Sequence, residues 1–505
     1  PRAVGTLAVS QTMVPGPADK RTLGLRVDSV ALEAPDGRLR IPTPSLLAAA
    51  VAAVALGAAI ALTIGAGPVA WALGLGAGSW LGFLLVFDGS FLGPYPDRVQ
   101  TIGLAAAAAA ALCALPWRAS AAERWSWRAA AGVVIVLTAC KLALFVHPMV
   151  TVGDSIFHVH RAQLVQAGEY FFTSITPRPF FEFPYPPGLY VAVAPLWRSF
   201  PREMEHVWLL RTAAMIAEAL LALAIYGVVY ANWRDRLAAF LASSISLVVP
   251  VGLYTICTSN LTNAFGQSLF GMGLAALLCA HLRRGWIFAS VGAALLCAGF
   301  LSHFSTFSVG VPLVMVCAAA VFLGGAGITR RTAIALSLAL VIAASASVAV
   351  YYAHFMPVYR RTAERILARE GEAATRSMVA PASVKAGRVT LTVWSEFGAA
   401  ILLGSIVAGG QLLRARARDP LTLALAGWAA VVVGFWLLGI VTAVEMRASL
   451  AALPLAAILV AAALARAARD GRWARVALAA ALASIVLHAI SDWTMCLGLE
   501  RFWLV

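Results

Sequence analysis

The feature that most constrains this chain is a recurrence: apolar stretches of about twenty residues follow one another almost from end to end, separated by short connectors. A helix needs about 20 apolar residues to cross roughly 30 Å of hydrocarbon. Read by that rule, fourteen segments qualify, near 44–66, 67–87, 99–117, 128–149, 206–231, 237–257, 264–281, 286–302, 303–323, 332–353, 391–413, 420–442, 446–464 and 476–491. Only 12% of residues are charged, against roughly 25% in soluble domains. The expectation is an all-α polytopic membrane protein.

The net charge of +15 does not form one patch. Arg118, Arg124, Arg128, Arg234, Arg236, Arg283, Arg284, Arg330, Arg331, Arg414, Arg416, Arg418, Arg466, Arg469, Arg472 and Arg475 recur in every second connector. They are accompanied there by four acids, Glu123, Asp235, Asp419 and Asp470, so sixteen minus four leaves twelve of the excess charges in these connectors. Such periodicity is a topology signal that places those connectors in the cytoplasm, and it excludes a nucleic-acid-binding face. Pro187–Leu196 is apolar, but counting it as a span would move every later arginine connector outside. It is expected to lie in or dip into the outer interface. The loops holding Asp154, Asn260–Gln267, His303 and residues 354–390 then face outward.

The domain reading is a β segment over 1–43, N-terminal spans over 44–127, and a main helical module over 128–505 with outer loops 150–205 and 354–390. Within the first part, Leu23, Leu25 and Val27 alternate and Asp36-Gly37 follows, which predicts a strand and turn. This segment is expected to belong to an outer β-domain whose remainder lies outside the sequence. Seven cysteines lack metal or disulfide-framework spacing and read as small buried apolar residues. With no Gly-rich phosphate loop after a predicted strand, an ATP-driven machine is not expected.

Polar chemistry concentrates in one place. Asp154, His158 and Arg161 fall at i, i+4 and i+7, on one face of a predicted interfacial helix, with His160 pointing elsewhere. Prolines then make a stiff stretch through Phe183-Pro184-Tyr185-Pro186-Pro187-Gly188. Later, Arg361 and Arg365 share a helical face beside Arg360, in an outer loop where basic clusters are disfavoured. A carboxylate suits deprotonation of an acceptor hydroxyl, and arginine suits a departing phosphate. The duller readings are a helix-capping Asp154, an interfacial His303, and arginines paired with Glu364, Glu370 and Glu372. Lys141, Arg211, Glu218 and Glu396 fall inside spans, where each costs at least about 2.5 kcal/mol unless paired. Arg211 and Glu218, seven apart on one helix face, are expected to belong to a structural ion pair.

Gly153-Asp154 with His158, the polar helix and Tyr185-Pro186-Pro187-Gly188 together resemble the first outer loop of GT-C type membrane glycosyltransferases. They are most similar to bacterial membrane proteins sometimes labelled as related to 6-pyruvoyl-tetrahydropterin synthase, although nothing in the chain is like that soluble enzyme. The resemblance runs over roughly 129–450 and includes Leu301–Ser305 and Asn260–Gln267. It implies a GT-C type bundle in a bacterial inner membrane, with an active site on the periplasmic or extracellular side. It further implies an inverting transfer from a polyprenyl-phosphate sugar to a glycan, lipid or protein acceptor, with Asp154 as base. On that reading His158, Arg161 and His160 support Asp154, while Arg360, Arg361, Arg365, His303 and Tyr185 contact the donor's phosphate or sugar. No cofactor is assigned, and Ser155 in place of a second acid leaves a divalent metal open. The alternatives are a flippase or secondary transporter for lipid-linked substrates, and a ligase or polymerase using a lipid-diphosphate donor.

Overall fold

A computed structural model describes residues 101–106, 108–109, 121–145, 150, 154–173, 184–200, 203–282, 285–325, 327–367, 382–416, 418–441 and 449–496. The expected β segment and the spans at 44–66 and 67–87 lie outside the described residues, as does most of 99–117. Contacts group residues 44–505 into one compact unit, to which everything below belongs.

Fifteen helices carry the described fold: α1 Ala121–Phe145, α2 Ser155–Gln166, α3 Gly188–Val193, α4 Glu203–Trp233, α5 Arg236–Val248, α6 Pro250–Cys257, α7 Leu261–Leu278, α8 Gly285–Phe300, α9 Phe304–Gly324, α10 Ile328–Val350, α11 Met356–Leu367, α12 Ala382–Ala415, α13 Pro420–Val441, α14 Ser449–Ala467 and α15 Arg472–Cys496. Among the described residues, nine helical stretches are long and apolar enough to cross a membrane, and two shorter apolar helices, Gly285–Phe300 and Ala474–Ala489, accompany them. Over the described residues this is an all-α, multi-pass membrane architecture. Eleven of the fourteen expected spans thus correspond to described apolar helices, nine of them of spanning length. Within the described residues the sole β feature is an isolated bridge between Thr173 and Pro184.

Local chemistry sets the helix ends. Asp235 caps α5 by accepting from Ala238 N at 3.1 Å, and Asp419 Oδ2 accepts from Thr422 N and Oγ1, both at 2.9 Å, ahead of Pro420 at the start of α13. Pro250 opens α6 after an extended Val249, so the 236–257 span is broken into two helices. Where α7 meets α8, glycines allow the backbones to touch: a Cβ on Gly273 would stand 2.9 Å from Gly292 O, and one on Gly299 would stand 2.9 Å from Gly266 O.

Of the charged residues inside spans, Lys141, Glu218 and Arg211 find partners, but not those expected. Lys141 Nζ reaches both oxygens of Glu218, at 2.8 and 3.0 Å, between α1 and α4. Arg211 instead donates to Ser259 Oγ at 3.2 Å and lies over the Phe145 ring. The α4 helix therefore sends Glu218 sideways to α1 and Arg211 to the turn before α7, although the two share a helix. Sequence spacing placed them on one face but could not show which neighbours the other helices would bring.

α4, about 45 Å long at 1.5 Å per residue, has different company at its two ends. At its C-terminal end Trp233 Nε1 donates to Asp419 at 2.9 Å, Arg416 lies over the Trp233 ring, and Arg469 pairs with Asp235. Three of the arginine connectors converge there. At the other end Arg211 meets Ser259, around which the polar segments gather.

Candidate functional site

The centre of this polar end is Ser259, fully buried in the turn between α6 and α7, with φ at +60°. That left-handed backbone is uncommon for a residue with a side chain. It turns the Ser259 carbonyl and hydroxyl toward α2 together. His158 Nε2 lies 2.6 Å from the carbonyl, and Ser155 Oγ lies 2.7 Å from the hydroxyl. Because a carbonyl only accepts, His158 Nε2 carries the proton. Nδ1 then accepts the Tyr190 hydroxyl at 2.7 Å. Burial lowers the His158 pKa from 6.5 to about 4, so the imidazole stays neutral. The same burial raises that of Tyr190.

Tyr190 belongs to α3, which is six residues long and is continued by a 3-10 turn over Ala194–Ser199. Neither is long enough to span, in keeping with the expected dipping segment. α3 enters through Gly188, whose N–H donates to Leu301 O at 2.8 Å. A Cβ there would stand 2.5 Å from Ser302 Oγ and 2.7 Å from Leu301 O, so this close approach requires glycine.

α2 does present one face at i, i+4 and i+7, but that face packs inward rather than lining an open hollow. His158 and Arg161 are buried on it, while Asp154 and His160 are exposed. Arg161 donates to Thr173 O at 2.9 Å and sits over the rings of Phe157 and Phe172, with 5.0 and 4.8 Å to their centroids. It ties α2 to the strand-like piece at 172–173. Phe172 O in turn accepts from Tyr185 N and from the Tyr351 hydroxyl, at 3.0 and 3.1 Å.

Asp154 occupies the N-cap position of α2, yet its side chain makes no capping hydrogen bond. No described residue pairs with its carboxylate. The backbone beneath it is held by Ser155 and His158, both anchored on Ser259, so an exposed acid stands on a fixed base.

Tyr185 Oη lies 3.0 Å from Thr262 Oγ1, and its ring meets His303 edge-on at 5.6 Å between centroids. His303 caps α9: its Nδ1 accepts from Ser305 N at 3.1 Å, and Ser305 Oγ lies 2.6 Å away. Ser305 Oγ is also 2.9 Å from Asn263 Oδ1. The serine has one proton for two acceptors, a conflict resolved if the Asn263 amide turns over and donates to the serine. His303 is thus both an anchor and a member of this cluster.

The late segment contributes differently from expectation. His354 stacks on Phe171 at 4.2 Å between centroids, and Tyr351, Tyr352 and Phe355 pack with Phe304 and Phe307. Arg360 and Arg361 are exposed on α11, and the Arg365 side chain lies outside the described residues. The structure therefore gathers His158, Arg161, Tyr185 and His303 into one cluster, with Asp154 at its edge. From the late segment it brings His354 and Tyr351 against residues 171–172.

Sequence reasoning missed Ser259 and Tyr190 as members, and had Asn263 only as part of the Asn260–Gln267 stretch. The Thr258-Ser259-Asn260 run between apolar segments carried a turn signal that could have singled out Ser259. Cys257, read as a buried apolar residue, is disulfide-bonded. Both ring nitrogens of His158 are engaged, which removes the His158–His160 pair as metal ligands. Among the described residues no three His, Cys, Asp or Glu side chains stand close enough to hold a metal ion. Compared with known proteins, the chain matches no family model and no curated protein.

Proposed function

We propose that the protein is a GT-C type membrane glycosyltransferase that moves a sugar from a polyprenyl-phosphate donor to an acceptor hydroxyl at the non-cytoplasmic face. The observation that carries this reading is Asp154: an exposed carboxylate, unused by its own helix, on a backbone clamped from below by Ser155 and His158. A base must be positioned before its acceptor arrives, and an exposed acid at an anchored helix end, its oxygens taken by no described residue, meets that need.

In this scheme Asp154 takes the proton of the acceptor hydroxyl as its oxygen attacks the anomeric carbon. The bond from that carbon to the phosphate oxygen breaks, the configuration inverts, and the lipid phosphate departs as an anion. Arg360 and Arg361, exposed on α11, are proposed to meet that charge as the donor enters from the bilayer, with Arg365 assigned there by helical spacing alone. Tyr185 and His303 are proposed sugar contacts. His158, Arg161 and Tyr190 act as positioning residues through α2. One feature supports the outward orientation: three of the arginine connectors converge at the opposite end of α4.

The transporter alternative is less well supported. Transporters line a substrate-sized hollow near the midplane with polar residues and broken helices. Here the intramembrane Glu218, beside the break between α5 and α6, is bound to Lys141 next to a cavity of only about 20 Å³, room for roughly one water. The test is incubation of the purified protein with a panel of polyprenyl-phosphate sugars and acceptors. Turnover that disappears in Asp154→Asn is expected. No turnover with any donor, together with proton-coupled uptake into vesicles, would overturn the enzyme; turnover kept in Asp154→Asn but lost in Arg361→Ala would point to the ligase.

A further inference from the structure

The end of the bundle away from Ser259 holds a cavity of about 200 Å³ between α4, α5, α12 and α14. Arg416, Arg466 and Arg469 line it with Gln411, Trp233 and Asp235, and the rest of its wall is alanine and leucine. A connector needs arginines only for topology, and topology does not require them to face one hollow. Here three arginines from two connectors do, against one aspartate.

That aspartate is already engaged. Asp235 Oδ1 accepts from Arg469 Nη2 at 2.5 Å and from Ala238 N at 3.1 Å. The nearby Asp419 Oδ2 accepts from Trp233 Nε1, Thr422 N and Thr422 Oγ1. Trp233 is thereby pinned, and Arg416 rests over its ring at 5.4 Å from the centroid. Its guanidinium is oriented without being neutralised. Arg466 is exposed at the mouth.

We propose that this cavity binds a phosphate-bearing anion, and that the anion is the headgroup of an acidic membrane lipid. The arginines supply paired donors matched to phosphate oxygens, Gln411 adds a neutral donor, and the alanine and leucine wall suits the first carbons of an acyl chain. A free phosphate shares the headgroup chemistry but makes no use of the apolar wall. The inference does not rest on the glycosyltransferase reading, since it concerns the opposite end of α4.

The test is the melting temperature of the detergent-purified full chain. It would be measured with added phosphatidylglycerol or cardiolipin, with phosphatidylcholine, and with inorganic phosphate, for the wild type and for Arg416→Gln, Arg466→Gln and Arg418→Gln. Arg418 is exposed on the same connector but does not line the cavity. The expected result is an upward shift with the acidic lipids only. It should shrink in Arg416→Gln and Arg466→Gln and persist in Arg418→Gln. An equal shift with inorganic phosphate would keep the anion site but overturn the lipid as its occupant. No shift, or one lost equally in Arg418→Gln, would overturn the site. Arg466→Gln alters an exposed side chain, so its result stands even if Arg416→Gln folds poorly.

Discussion

Asp154 and Glu218 are carboxylates of the same charge in opposite circumstances. Glu218 is buried among helices and held by both of its oxygens to Lys141. Asp154 is exposed, and no described group occupies its oxygens. The lesson is that an acid's availability for chemistry depends on the donors around it more than on its position near a span. The ion pair commits Glu218 to structure; a firmly held backbone beneath open oxygens leaves Asp154 for a substrate.

The sharpest way to break that contrast is Asp154→Asn. Transfer activity should fall by about 10²–10⁴-fold, the usual worth of a positioned base, while stability changes by less than about 0.5 kcal/mol, as for a surface site. A large loss of stability with activity retained would reverse the roles assigned here. Lys141→Met should do the opposite. It strands a buried carboxylate and should cost about 3–5 kcal/mol, read as a fall in melting temperature, with Lys141→Met/Glu218→Leu recovering much of it. A single Lys141→Met variant as stable as wild type would show that the pair does not hold α1 to α4.

The pH dependence sharpens the comparison at the support beneath Asp154. His158 has its pKa lowered from 6.5 to about 4 by burial, so the unfolded chain takes up a proton that the fold refuses. Stability should be complete above pH 6.5 and decline as pH falls from there toward 4. The loss is up to about 3 kcal/mol from this group. His158→Gln should weaken that slope, as measured by thermal denaturation across pH. The smallest expected effects are those of Arg360→Ala and Arg361→Ala on stability, within about 0.5 kcal/mol. A reduced rate in either, at unchanged melting temperature, would place α11 near the donor.

The spans were legible because a run of twenty apolar residues has few other fates. The short α3 was legible too, since reading it as a crossing would break the alternation of arginine connectors. The i, i+4, i+7 face of α2 could be read as a face, but not which way it pointed. His158 and Arg161 turn inward because Ser259 and Thr173, distant in sequence, offer acceptors there. Pairing across helices was likewise illegible. Glu218 met Lys141, 77 residues away, rather than the arginine on its own helix, and no periodicity within one segment contains that information.

The hydrogen bond from His158 to Ser259 joins residues 101 positions apart, and that from Tyr351 to Phe172 joins residues 179 apart. During synthesis, α2 lacks its Ser259 anchor until α4, α5 and α6 have been inserted. Residues 171–173 wait longer still, until α10 has crossed. The segment bearing Asp154 therefore emerges early and is fastened late, so its assembly is timed by membrane insertion of helices that come after it in the chain.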